Sequence, residues 1–379
     1  MVEDWSEVPE RIRRTFDELG IPKAEQEALG GVGAQYDSEL VYHRVREAVA
    51  SEGVIYLGLE EALRDKKYEK MVREHFMQLV HADEHKFMAL HGAVWSGGSF
   101  VYVPPFTAVS LPLQAYYRMN APRAGQFEHT LIIVDEGATL EFIEGCSAPK
   151  YNEASLHAGC VEIFVGKGAK MRYITVENWS KNVYNLNTKR AIVAEKGEIE
   201  WITGSFGSKV SMLYPMGVLD GDNAKMRYVG VSLAGSEQEL DTGVKVLHRG
   251  RETRSIMRAK SLANNGGINR FRSIVTIEKS ATRAKSLTDC ASLMLDSISE
   301  TETIPEFNVK CSSAEAAHEA SVGNISEENL RYLAERGIDE DRGRSLVVQG
   351  FLEEVVKELP VEYAVEMNRL MRLEIEGNL

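Results

Sequence analysis

The chain has 379 residues, enough for two or three packed units and a sizeable core. Its formal net charge of −13 argues against nucleic acids and acidic membranes as partners, because both are bound through clustered lysine and arginine. The four cysteines form no CxxC pair and no dense framework, so they indicate reduced, reactive thiols and a cytoplasmic location.

The first 90 residues are predicted to be mostly helical. The acidic start, MVEDWSEVPE, is not that of a signal peptide. Ser6 can cap a helix that ends at the Gly-Ile-Pro sequence of residues 20–22. Helical patterns follow over residues 37–51 and 60–79, with the strand-like VIYLGL (54–59) between them.

Residues 93–117 carry no charged side chain. A stretch of this length could be mistaken for a membrane span. Pro104, Pro105 and Pro112 argue against a helix there. We therefore predict a β-rich segment that is covered on both faces.

A short phrase recurs between about residue 94 and residue 311. It reads EGATLEFIEG (136–145), KGAKMRYITV (167–176), KGEIEWITG (196–204) and DNAKMRYVGV (222–231). Spacings of 31, 29 and 26 separate the aligned turn residues Gly137, Gly168, Gly197 and Asn223. A turn followed by a strand at such spacings predicts stacked strand units, as in a β-helix. A β-sandwich with chance similarity is the alternative.

The window of residues 286–325 is the richest in side chains that bind metals. It holds Cys290, Cys311 and the adjacent pair His318 and Glu319. Thiolate, imidazole and carboxylate together can bind a soft or borderline metal, provided that the fold brings them together. The alternative is that the cysteines are buried as small hydrophobic residues.

Helical patterns return after residue 325. Ser326 is predicted to cap a helix that stops at Gly337, and Asp339 or Asp341 is predicted to cap the next. Pro360 opens a last helix. These amphipathic helices are expected to pack on the β body or on a partner.

Several common enzyme motifs are absent. The sequence contains no P-loop, no HExxH and no GxSxG motif, and no GxGxxG motif follows a strand. Asp220 and Asp222 are paired carboxylates that a β-helix carbohydrate enzyme could use, but in LDGDN they fit turn residues better. A carbohydrate enzyme is therefore disfavoured.

Six stretches of the chain match one known family. In chain order they are VPERIRRTFDELGIP (8–22), WSGGSFVYVPPFTAVSLPLQAYYRMNAPRAGQFEHTLIIVDEGATLEFIEGCSAP (95–149), SLHAGCVEI (155–163), NVYNLNTKRA (182–191), HEAS (318–321) and ELPVEYAVEMNRLM (358–371). They closely resemble the SufB family of the SufB/SufD superfamily, the scaffold subunits of the SUF iron–sulfur cluster assembly system. The resemblance runs nearly end to end.

The resemblance implies a fold and a division into domains. The fold is mainly β, a right-handed parallel β-helix flanked by helical regions. The boundaries expected here are residues 1–90 for the mostly helical N-terminal region, 91–317 for the β-helix core and 318–379 for the C-terminal helical domain that would dock an ATPase.

The resemblance also implies roles for individual residues. Cys146 occupies the place of the cysteine that accepts sulfur. The polar interior positions that help sulfur to pass correspond to His157, Thr175 and Lys189. We expect a nearby histidine or lysine to favour the Cys146 thiolate by lowering the thiol pKa.

The cluster ligands implied by the resemblance are Cys290 with the His318–Glu319 pair, and we rank Glu319 before His318. A thiolate with weaker nitrogen or oxygen ligands gives a site that can release its cluster. The cluster is expected to be transient, either [4Fe-4S] or [2Fe-2S]. Cys160 and Cys311 match no family position and are assigned structural roles.

The function implied is that of a scaffold without catalytic turnover of its own. Its expected partners are a SufC-type ABC ATPase, a second copy of itself or a SufD-type paralogue, a cysteine desulfurase or sulfur carrier, and apo client proteins. The alternative is a D-like structural partner without a cluster site. It is kept because HEASVGNI departs from the HEAT-x-SKI sequence usual in the B-type subunit.

Overall fold

A parallel β-solenoid of about seven turns forms the body of the molecule. The structure, a computed structural model, describes residues 29–37, 39–120, 125–148 and 153–357, together with Glu10 and Arg369. Strands make up 51% of it, so the mainly β prediction is confirmed and the sandwich is excluded. The hand of the solenoid and the domain boundaries stay predictions.

The strands and helices of the described residues are numbered in chain order. The strands are β1 (Gly31–Tyr36), β2 (Glu39–Val45), β3 (Ile55–Gly58), β4 (Ser99–Val103), β5 (Leu113–Arg118), β6 (Gly125–Gln126), β7 (His129–Val134), β8 (Thr139–Ser147), β9 (Ser155–His157), β10 (Cys160–Val165), β11 (Lys170–Trp179), β12 (Val183–Val193), β13 (Glu198–Gly207), β14 (Val210–Leu213), β15 (Met216–Leu219), β16 (Lys225–Ala234), β17 (Glu239–His248), β18 (Arg254–Ala263), β19 (Ile268–Ile277), β20 (Lys285–Met294), β21 (Glu300–Val309) and β22 (Glu315–Asn324). The helices are α1 (Glu47–Ser51), α2 (Leu59–Arg64), α3 (Glu69–His75), α4 (Lys86–Val94), α5 (Glu327–Ala334) and α6 (Glu340–Val356).

Two sheets face each other across the core. Sheet A has the strand order β2-β1-β5-β8-β11-β13-β16-β18-β20-β22. Sheet B follows the path β21-β19-β17-β14-β12-β10-β7-β4-β3, with β15, β6 and β9 pairing beside it. The chain alternates between the sheets, and β1–β2 and β3–β4 are antiparallel pairs. Strands β21 and β22 are the last of their sheets, and among the described residues no further strand pairs with either, which leaves an open end.

A residue with a left-handed backbone conformation stands two positions before most strands of sheet A. Positive φ angles of 58–66° occur at Gly137, Gly168, Lys196, Asn223, Glu252 and Arg283. In the third of these turns the left-handed residue is Lys196. The sequence alignment had placed it at Gly197, one residue too late. The N–H of each of the first five of these residues donates to a carbonyl of the next turn, for example Gly137 to Lys167 at 2.8 Å. The turns therefore stack through their own backbone.

The helical prediction for residues 37–51 is largely wrong. Residues 39–45 form β2, which pairs with β1, and only the short α1 follows. Pairing with β1, which itself joins β5, supplies the backbone hydrogen bonds that a helix would have formed internally. The strand over 54–59 and helices within 60–79 are confirmed. The Ser6 helix lies outside the described residues.

The uncharged stretch of residues 93–117 contains the end of α4 followed by β4 and β5. Most side chains of both strands are buried, as predicted for a segment covered on both faces. None of the helices in the described part of the chain is long and apolar enough to cross a membrane.

The C-terminal helices begin where the sequence predicted. The Ser326 hydroxyl accepts from the Asn329 N–H at 3.3 Å, and the Asp339 carboxylate accepts from the Arg342 N–H at 2.9 Å. Helix α6 packs against the outer face of sheet A through residues such as Leu352, which is fully buried. The helix predicted to begin at Pro360 lies outside the described residues.

Candidate functional site

A column of polar residues runs along the inner surface of sheet A. Cys146 on β8 begins it, because its side chain points inward with the alternate residues of the strand. In register on the following strands lie Glu177, Ser205, Ser232, Ser261 and Ser292. All six residues are buried. This set is called the polar column below.

Cys146 lies beside a buried ion pair. Its Sγ is 3.8 Å from Glu144 Oε1, and the same oxygen accepts a hydrogen bond from Lys189 Nζ at 2.6 Å. Lys189 also donates to Thr175 Oγ1 at 3.0 Å. The Tyr173 hydroxyl donates to the other Glu144 oxygen. Two strands of sheet A and one of sheet B thus converge on the thiol.

His157 joins this network from the other side. Its Nε2 is 2.6 Å from Glu128 Oε1, and its Nδ1 is 2.8 Å from Asn185 Oδ1. Asn185 in turn donates to Glu177 Oε2 at 2.6 Å, and Glu177 lies next to Cys146 in the polar column. The structure therefore brings Cys146, His157, Thr175 and Lys189 together in one buried network.

The charges of this network oppose ionisation of the thiol. Burial, followed by the negative charge of Glu144, raises the pKa of Cys146 well above its ordinary value. Burial opposes the charge of Lys189, but Glu144 and Glu177 outweigh it and raise the lysine pKa. The expected lowering of the thiol pKa by a histidine or lysine is therefore wrong for this state, because a carboxylate stands between cation and sulfur.

Part of the polar column is joined to sheet B by hydrogen bonds. The Ser232 hydroxyl donates to Asn269 Oδ1 at 3.0 Å, and Ser292 Oγ is 3.4 Å from Thr303 Oγ1. Ser292 lies two residues after Cys290 on β20, on the same face. The column therefore links the surroundings of Cys146 to the strand that carries Cys290.

The three predicted cluster ligands lie on the last two strands of sheet A. Cys290 is in register with Ala320, and His318 with Thr288, so Cys290 and His318 project to the same face. His318 Nε2 is buried and has no hydrogen-bond partner. Glu319 pairs with Asp289 and projects to the opposite face, where it is exposed. Within one chain the structure brings His318 towards Cys290 and does not bring Glu319.

The pKa of Cys290 rises to about 12, chiefly because the thiol is buried and secondly because Asp289 is close. Cys311 lies after β21, where a hydrogen bond with Ser313 lowers its pKa. Cys160 lies on the outer face of sheet B beside His91 and His129.

Several residues of the site were missed by sequence reasoning. Glu128, Glu144 and Glu177 carry the charge of the network. One signal was present, since Glu144 lies two residues before Cys146 in a strand and therefore shares its face. No local pattern pointed to Glu128, which meets His157 from the neighbouring turn of the solenoid.

Comparison with known proteins identifies the family. The sequence model described as "SUF system FeS cluster assembly, SufBD core domain" matches residues 117–351. The chain belongs to the SufBD family. Proteins of Staphylococcus epidermidis and Staphylococcus haemolyticus named iron–sulfur cluster assembly SufBD family protein are each 48% identical to it over 375 residues. A namesake from Staphylococcus aureus has the same identity and length of match. In each case the match covers 99% of this chain and 80% of the relative.

Membership of the SufBD family implicates the chain in iron–sulfur cluster assembly and in complexes of the SUF system. The matched region contains every candidate residue discussed above, from Cys146 to Glu319. The family covers both SufB-type and SufD-type subunits.

Proposed function

We propose that this SufBD protein is an assembly scaffold that accepts sulfur on Cys146 and builds a transferable iron–sulfur cluster near Cys290. The observation that supports this most is the polar column, a buried file of hydroxyl groups between the two cysteines. A solenoid core is normally filled with apolar side chains, because a buried hydroxyl costs free energy unless it is hydrogen-bonded. A file of such groups is therefore consistent with a path for a polar species.

Sulfur would enter as the sulfane atom of a persulfide on a cysteine desulfurase or sulfur carrier. Because the network opposes a free thiolate, the Cys146 thiol gives its proton to the Glu144 carboxylate as its sulfur attacks the sulfane sulfur. The S–S bond of the donor breaks, a new S–S bond forms on Cys146, and the donor cysteine leaves as a thiolate. Lys189 stays paired with the site and balances its charge.

Access to Cys146 requires movement, because its side chain is only 2% exposed. A SufC-type ATPase bound to the C-terminal helices would supply that movement, since the sequence has no P-loop of its own. The scaffold then needs no catalytic turnover, and the chemical work comes from its partners.

The cluster would form around Cys290, five strands away from Cys146 in sheet A. At about 4.8 Å per strand the two positions are about 24 Å apart, so sulfur entry and cluster binding are separate steps. His318 is the nearer second ligand within one chain, and Glu319 remains a proposed ligand for an assembled complex. The proposed cargo is a transient [4Fe-4S] or [2Fe-2S] cluster.

A D-like structural role is the second candidate. It is favoured by the observation that Cys290, His318 and Glu319 do not converge as one three-ligand group among the described residues. Such a subunit would dimerise through its open end and hold no cluster alone.

The two roles separate in an anaerobic reconstitution experiment. Cys146→Ser should fail to assemble a cluster from a desulfurase and cysteine but should succeed with iron and free sulfide. Cys290→Ser should fail under both conditions, because a neutral hydroxyl replaces thiolate poorly as an iron ligand. Cys311→Ser is the matched control and should behave as wild type. Iron and acid-labile sulfide counts measure the outcome, and wild-type counts in both variants would contradict the scaffold proposal.

A further inference from the structure

A second cluster of buried side chains lies outside the solenoid, between helix α4 and sheet B. His91 of α4, His129 of β7 and Cys160 of β10 place their ligand atoms within 4.8 Å of one another, and all three residues are fully buried. We propose that these three residues bind one divalent ion of the zinc class. This site is independent of the polar column, since His129 and Cys160 project to the outer face of sheet B.

The orientation of the two rings supports a metal. His91 Nδ1 lies 2.9 Å from the Ala158 carbonyl, and His129 Nε2 lies 2.9 Å from Glu162 Oε2. A carbonyl and a carboxylate only accept, so each of these nitrogens carries the proton of its ring. The nitrogens left over, His91 Nε2 and His129 Nδ1, therefore present lone pairs.

Those two nitrogens face each other at 3.1 Å. Two lone pairs repel at this distance unless a cation or an extra proton lies between them. Nitrogen ligands at about 2.0–2.1 Å from a tetrahedral zinc lie about 3.3 Å apart, so the observed separation already fits. The Cys160 sulfur lies within 4.8 Å of both nitrogens and supplies the third ligand.

Glu162 supports the site from behind His129. Its carboxylate also accepts backbone N–H groups of Met77 at 2.5 Å, Leu79 at 2.6 Å and Val80 at 3.0 Å. It acts only as an acceptor and is fixed in place. A carboxylate behind a histidine is the usual arrangement in zinc sites, where it sets the tautomer and orients the ring.

The donor set indicates which ion would bind. Two imidazoles and one thiolate suit zinc and other borderline metals, and they do not suit Mg²⁺ or Ca²⁺, which prefer oxygen. Binding would release the Cys160 thiol proton and join α4 to two neighbouring strands. Because Cys160 and His129 are directly in register, the ion would act as a clamp between the helical segment and the solenoid.

Cobalt titration tests the proposal on the full-length protein, treated with chelator and then given Co²⁺ alone. The Cys290→Ser background removes the other candidate thiolate site. We expect one equivalent of Co²⁺ with a thiolate-to-cobalt charge-transfer band. Zn²⁺ should displace it and Mg²⁺ should not, in keeping with the relative affinities of these ions for nitrogen and sulfur ligands. Zn²⁺ should also raise the melting temperature.

Matched variants assign the site. In the same background Cys160→Ala should lose the band, whereas Cys311→Ala should keep it. Glu162→Gln should weaken Co²⁺ binding by about 10–100-fold while keeping the band, since Glu162 only positions a ligand. His129→Gln is a second test should Cys160→Ala not fold. No Co²⁺ binding, or a thiolate band that survives both Cys160→Ala and His129→Gln, would overturn the proposal.

Discussion

At the scale of single residues, Lys189 is the cation that pairs with Glu144 and Glu177 beside Cys146. Its Nζ is 2.6 Å from Glu144 and 3.9 Å from Glu177, and all three side chains are nearly inaccessible. A buried ion pair adds little net stability because its charges lose hydration, but removing one partner leaves an uncompensated charge. The network is therefore sensitive to the loss of one member.

Lys189→Met should lower the free energy of unfolding by about 3–5 kcal/mol, because Glu144 is left charged and buried. Adding Glu144→Gln should restore part of this loss, because the uncompensated charge is removed. Urea denaturation of wild type, single and double variants measures both effects. Equal stability of single and double variants would contradict this account.

Two of the buried histidines, His157 and His248, should give opposite pH dependence. The pKa of His157 is raised, since its interactions with Glu128 and Asn185 outweigh the effect of burial. A raised folded-state pKa stabilises the fold below the unfolded value of about 6.5, and this contribution is lost as pH rises through the folded pKa. The difference in melting temperature between wild type and His157→Gln should therefore shrink from pH 6 to pH 9.

His248 is the matched control. Burial lowers its pKa to about 4, and its nitrogens bond Thr253 and Ser255. Its contribution is present above pH 6.5 and is lost as pH falls towards 4. The difference between wild type and His248→Gln should therefore shrink on acidification. The same trend for both variants would contradict the assignment.

At the scale of elements, helix α6 has two different faces. Leu352 is fully buried against sheet A, whereas Leu346 on α6 and Tyr332 on α5 are 42% and 55% exposed. The inner face holds the helix on the body. The outer face, with exposed apolar side chains, is available to the proposed ATPase.

Leu346→Asp combined with Tyr332→Ala should weaken co-purification with a SufC-type ATPase and leave the melting temperature nearly unchanged, because neither side chain is in the core. Leu352→Ala is the control for packing and should cost about 2–5 kcal/mol of stability. Pull-down of the tagged ATPase measures binding. Undiminished binding of the outer-face variant would remove this surface from the proposal.

The elements also show how far the sequence could predict the fold. The repeated phrases revealed the turns before β8, β11 and β16, because Gly137, Gly168 and Asn223 favour a left-handed backbone. The later turns have Glu252 and Arg283 at the same position, so no shared residue type identifies these turns in the sequence. Strand β2 was predicted as a helix, since its partner β1 is identified only by tertiary pairing.

Less of the candidate site than of the fold could be predicted from the sequence. Cys146 and Lys189 came from resemblance to a family, and only the fold shows that Glu144 joins them. His91 and Cys160 are 69 positions apart in the sequence and meet because α4 covers sheet B. Contacts of this kind depend on packing, which leaves no local pattern.

At the scale of the whole molecule, the two ends of the solenoid differ. Strands β1–β3 lie at one end with α1 and α2, whereas most side chains of β21 and β22 are exposed at the other. Val309 and Val322 are 43% and 54% exposed there. An open sheet end with apolar side chains is normally covered by a partner.

We expect this end to pair with a second copy or with a SufD-type paralogue. The surface available to such a pair is formed by β21 and β22, the last strands of the two sheets. The double substitution Val309→Lys and Val322→Lys should convert a dimer to a monomer, because burying unpaired lysine ammonium groups in an interface is unfavourable. Sedimentation or light scattering measures the change. Ile256→Lys, at an exposed site elsewhere, is the control. A dimer that survives the double substitution would place the interface elsewhere.

Each turn stacks on the next through a residue with a left-handed backbone, so successive strands of sheet A are separated by a constant distance of about 4.8 Å. Removing or adding one complete turn would change the separation of Cys146 and Cys290 by about 4.8 Å and leave both side chains facing inward. A change of one residue within a strand would instead turn its later side chains to the opposite face. Loops between strands can differ in length, as the unequal spacing of Gly137, Gly168 and Lys196 shows, without changing this separation. The distance over which sulfur would have to move in the proposed function is therefore set in discrete steps.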